Sequence, residues 1–71
     1  MKKESTSARR FIRLREVSNM TGLSKSSIYD YMNAGLFPRS CSLGCRSVAW
    51  VESEVEQWIE NQIAQRDQEM A

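Results

Sequence analysis

VSNMTGLSKSSIYDYMNAG, residues 17–35, is the stretch that decides the fold. Leu14, Val17 and Met20 recur at helical spacing and predict a short helix from about Arg15 to Met20. Thr21-Gly22-Leu23-Ser24 follows. Gly22 suits the positive φ just past a helix end, and the Ser24 hydroxyl can accept from the free amides that open the next helix. A second helix is then expected from Lys25 to about Ala34, with Ile28, Met32 and Tyr31 facing inward. Gly35 ends it and Pro38 bars a restart. A short helix, a glycine turn and a capped second helix make the sequence form of a helix-turn-helix.

Outward from this centre, the texture changes between Arg39 and Trp50. Cys41, Leu43, Val48 and Trp50 suggest two short strands joined at Leu43-Gly44-Cys45-Arg46, a hairpin that would serve as a wing. Val51, Val55, Trp58, Ile59 and Ile63 then form one apolar stripe on a helix expected over about 51–66. Glu52, Glu54 and Glu56 occupy its first turns, where the helix dipole favours negative charge. The fold class is therefore mainly α with a small β-hairpin, a winged helix-turn-helix. It is expected over residues 10–66, between a disordered basic arm at 1–9 and a frayed tail at 67–71.

The chain has 71 residues, enough for a single domain with a small core, and no His. Little core to carve a pocket from, and no imidazole as base or ligand, argue against an enzyme. No apolar run approaches the roughly 18–20 residues that cross a bilayer, and the charged N-terminus leads into no secretory h-region. Cys41 and Cys45 offer two ligands where structural zinc takes four, so no metal is expected, and reduced thiols fit a cytosolic protein. Core packing is the expected role of Trp50 and Trp58.

The net charge of +1 hides a division. Residues 1–50 hold nine Lys/Arg against three Asp/Glu, whereas residues 51–71 hold one Arg against six acids. A basic front can hold phosphates. In a helix-turn-helix the second helix enters the major groove N-terminus first, which selects Ser24, Lys25, Ser26, Ser27 and Tyr29 as the reading positions. Lys25 can donate to guanine, the serines can donate or accept, and Tyr29 can reach a phosphate. Capping is the first role of Ser24. Arg39, Arg46 and Ser47 belong to the wing, whose arginines suit backbone or minor groove. The alternative for both arginines is an ion pair with the acidic last helix. Because Lys25 is the single basic residue in 17–35, binding energy has to come from Arg9, Arg10, Arg13 and Arg15 before it and the wing after it. Lys2 and Lys3 could add to that arm.

Taken together, Arg13-Leu14 with Val17, the TGLS turn, Ile28-Tyr29, Gly35 with Phe37-Pro38, Leu43-Gly44, Arg46-Ser47-Val48-Ala49-Trp50 and the Glu52–Trp58 helix resemble the AlpA family of short prophage regulators. The resemblance spans residues 10–59. It implies a winged helix-turn-helix related to phage excisionases and, more distantly, to the MerR type. It also implies a bacterial, cytoplasmic, nucleoid-associated regulator acting on integrase or excision genes. Asp30 and Cys45 depart from the usual pattern, which has basic or polar residues at the first position and charged or polar ones at the second. The partners expected are double-stranded DNA and further copies of the same chain bound cooperatively, with no cofactor and no small-molecule substrate. Two alternatives stand beside this reading: a DNA-bending architectural factor, and an adaptor that uses the acidic last helix.

Overall fold

The computed structural model describes residues 9–70; Lys2 and Lys3 lie outside them. The elements run β1 (Phe11–Ile12), α1 (Leu14–Thr21), α2 (Lys25–Asn33), β2 (Cys41–Gly44), β3 (Ser47–Val51) and α3 (Glu52–Met70). Three helices and a small antiparallel sheet give the expected winged helix-turn-helix layout.

The turn between α1 and α2 is pinned by side chains as well as backbone. Gly22 takes φ 77° and its N–H donates to the Ser18 carbonyl at 2.8 Å. The Thr21 hydroxyl donates to the Val17 carbonyl at 2.8 Å and accepts from the Leu23 N–H at 3.2 Å. Ser18 donates to the Leu23 carbonyl at 2.7 Å. These bonds tie the end of α1 to the turn and hold the angle between the helices.

Helix α2 stops in a Schellman arrangement. The Leu36 N–H reaches the Tyr31 carbonyl at 2.8 Å and the Gly35 N–H reaches the Met32 carbonyl at 3.1 Å, with Gly35 at φ 76°. The segment after it is clamped from below. Trp50 Nε1 donates to the Pro38 carbonyl at 3.1 Å, and Trp58 Nε1 donates to the Leu36 carbonyl at 2.7 Å. Phe37 is buried, with its ring edge-on to Trp58 at 4.9 Å.

The sheet has the order β1-β3-β2. Phe11 faces Val51 and Ile12 faces Trp50 across one edge; Cys41 faces Ala49 and Ser42 faces Val48 across the other. Strand β1 is an addition to the expected hairpin, and two residues are too few to show an alternating pattern. Val51 closes β3 instead of opening the last helix, because its backbone is paired with Phe11. Helix α3 continues to Met70 rather than stopping near 66; no Gly or Pro interrupts residues 52–70.

Ile12, Val17, Ile28, Phe37, Trp50 and Val55 form the core, so every element except β2 contributes to it or leads directly into it. Tyr31 corrects one expectation: it is 38 % exposed, whereas Tyr29 is half-buried, its ring centroid 6.3 Å from that of Trp50 in an edge-to-face arrangement. The two tyrosines lie at equal angles on either side of the Ile28–Met32 line. Strand β3 covers the Tyr29 flank and leaves the other open.

Candidate nucleic-acid interface

At the start of α2, the Ser24 side chain accepts from the Ser27 N–H at 3.2 Å, and its hydroxyl donates to the Ser27 hydroxyl at 3.0 Å. Ser24 is thus the N-cap, and Ser27 is turned back toward it. Ser24, Lys25 and Ser26 are exposed, and Ser27 is half-buried. The first turn of α2 therefore offers a cation and a free hydroxyl to solvent, over backbone amides that favour an anion.

Arg13 is the N-cap residue of α1 and Arg15 lies in its first turn, both exposed. Arg46 is exposed at the wing tip, and Ser47, half-buried, begins β3. Arg39 lies apart from the first turn of α2. It shares a shallow polar cleft of about 160 Å³ with Met32, Asn33 and Ser40 at the far end of that helix. Among the described residues the ion pairs are Arg10–Glu52 at 3.1 Å and Arg66–Asp67 at 2.9 Å. Arg39 and Arg46 thus take no acidic partner within that set, while Arg10, expected to help bind phosphate, already has one.

Two wing features escaped the sequence pattern. Leu43 is the extra residue of a bulge between Ser42 and Gly44, and it stands 44 % exposed. Arg46 adopts φ 60°, the left-handed region that glycine fills at least cost. On α2, Ser26, Asp30 and Asn33 form an exposed polar stripe at i, i+4, i+7. Asn33 joins the sequence-derived candidates through this spacing, and an asparagine amide can pair with adenine.

Trp50 is fully buried and cannot stack on a base, and Trp58 is occupied with Phe37 and Leu36. Cys41 is half-buried and Cys45 exposed, both as free thiols. Among the described residues no three His, Cys, Asp or Glu side chains are gathered as a metal would require. No helix there is long and apolar enough to cross a membrane.

These elements define a small winged helix-turn-helix protein with an exposed second helix and a basic wing tip. Residues 10–63 match the family described as prophage CP4-57 regulatory protein (AlpA). The chain belongs to this AlpA family, one of regulatory proteins and not of enzymes. It is 47 % identical over 57 residues to the uncharacterized protein ORF88 of enterobacteria phage P4, covering 80 % of this chain and 65 % of that protein. It is also 37 % identical over 59 residues to the DNA-binding transcriptional activator AlpA of Escherichia coli K12, covering 75 % of this chain and 84 % of that protein. The chain thus spans just under two thirds of the phage protein's length. No solved structure matches it closely.

Proposed function

We propose that this protein is a sequence-specific DNA-binding transcriptional regulator of prophage type that acts on integrase or excision genes. Helix α2 enters the major groove, and the wing lies on the backbone or in the minor groove. The observation that carries this reading is the first turn of α2, where the Ser24 cap leaves Lys25 and Ser26 exposed and no acid occupies that turn. Support also comes from the E. coli relative, which is named a DNA-binding transcriptional activator. DNA binding would place the protein on the bacterial nucleoid. One such module buries roughly 600–1,000 Å² on DNA, so copies bound cooperatively at adjacent sites would be needed for a firm hold.

A polarisation titration against prophage promoter and attachment-site duplexes tests this. Specific binding is expected, and Lys25→Ala should weaken it by about 1–3 kcal/mol while relaxing sequence preference. Failure to bind either duplex at low salt would overturn it.

The exposed Leu43 beside Arg46 favours a second role alongside the first. Apolar wedges entering the minor groove kink DNA, so the wing would bend its site as excisionase-like architectural factors do. A circular-permutation gel in which wild type bends the fragment and Leu43→Ser does not would support this.

A further inference from the structure

Asp30 follows the fully buried Ile28 by two residues on α2. At about 100° of turn per residue, that spacing sets it on the side of the helix facing away from the core. It is exposed, with Ser26 one turn before it and Asn33 one turn after it on the same outward line. Helix α2 holds no other acid, and Lys25 is its only base. The Asp30 backbone serves the helix, its carbonyl accepting from the Ala34 N–H at 3.0 Å. Its carboxylate is in neither ion pair of the described residues, Arg10–Glu52 and Arg66–Asp67, and in no side-chain hydrogen bond among them. Water serves that carboxylate in the free protein. Once the face is docked, it needs another donor.

We propose that Asp30 is a specificity residue of α2, its carboxylate accepting from the N4 amine of a cytosine on the floor of the major groove. The inference rests on the placement of α2 in that groove proposed above. In that placement the outward line of the helix faces base edges, and the phosphates stand to either side. An ionised carboxylate only accepts. Guanine shows it O6 and N7, and thymine shows O4 and a methyl group, so neither has a donor to give. Adenine has the N6 amine, but N7 beside it repels the second carboxylate oxygen. Cytosine presents an amine and no acceptor of its own. Every other base leaves a desolvated charge unpartnered, and the discrimination comes from that penalty. The same charge weakens the hold on duplex DNA in general, because it enters among phosphates. Asp30 thus serves selection, while the exposed Arg13, Arg15 and Arg46 supply attraction.

Selection from a randomised duplex library, followed by titration of the chosen sites, tests this. Wild type should enrich cytosine at one position and bind about tenfold more weakly when that base pair is changed. Asp30→Ala should lose the preference there, keep the bases chosen elsewhere, and hold unrelated duplexes more tightly than wild type does. Asp30→Asn should move the preference from cytosine to adenine, because an amide both donates to N7 and accepts from N6. A residue that only repels phosphate would not switch the base. The side chain is exposed and unbonded, so circular dichroism should show both variants folded. The same bases chosen by all three proteins would overturn the inference and leave the DNA reading standing. So would a preference lost at every position together in both variants, since Asp30 would then only shape the helix. A wild type that binds no duplex at low salt would sink the DNA reading, and this inference with it.

Discussion

The Trp58 indole donates to the Leu36 carbonyl at 2.7 Å across 22 residues of sequence, and so the last helix holds the exit of the second. Replacing Trp58 with Phe keeps an aromatic face for Phe37 but removes the donor together with part of the indole's bulk. A loss of about 0.5–1.5 kcal/mol is expected, seen as a Tm lowered by roughly 4–8 °C for each kcal/mol in a domain of this size. A melt unchanged in Trp58→Phe would show that packing alone fixes the linker.

Ser24 caps α2, and its substitutions separate folding from recognition. Ser24→Ala should cost about 1 kcal/mol in a urea titration. Ser24→Asp should recover that stability, since a carboxylate caps well and favours the helix dipole. The same aspartate should weaken DNA binding, because it sets a negative charge against the phosphates. If Ser24→Asp binds as well as wild type, the first turn does not approach the backbone.

Arg46 holds a left-handed backbone that costs a non-glycine residue roughly 1–2 kcal/mol. Arg46→Gly should therefore raise stability while lowering affinity for all sequences. The log–log salt slope should flatten by about 0.9 if the guanidinium meets one phosphate. Stability gained with no change in binding would leave the strain without a functional cause.

Arg10 and Arg13 differ in what they already hold. The Arg10–Glu52 pair is largely open to water on the arginine side and should contribute under about 1 kcal/mol to stability. Arg10→Ala should change the salt slope of DNA binding less than Arg13→Ala does, because Glu52 competes for its charge. Equal slopes would mean that Arg10 lets go of Glu52 on DNA.

Much of the fold was legible because local chemistry and burial agree. Gly22, Ser24 and Gly35 each punctuate the chain where the backbone turns, and Val17, Ile28 and Val55 are spaced for one core. The pattern failed where two residues had equal claims. Tyr29 and Tyr31 are symmetric about the buried line of α2, and only the position of β3, a long-range fact, chooses between them. Strand β1 is too short to show a period, and the Leu43 bulge is a matter of register that alternation alone does not carry. For the candidate interface, residue types and helix phase were visible from the start. The pairing of Arg10 and the placement of Arg39 beside Asn33 depended on which elements come together in space.

The two indole clamps also bear on how the protein is made. Leu36 and Pro38 leave the ribosome before Trp50 and well before Trp58. Until that last tryptophan emerges, the helix-turn-helix has its turn, its cap and the Trp50–Pro38 bond, but not the bond that holds Leu36 at the exit of α2. A nascent chain cut short ahead of Trp58 would carry the exposed residues of α2 without that hold on the helix exit.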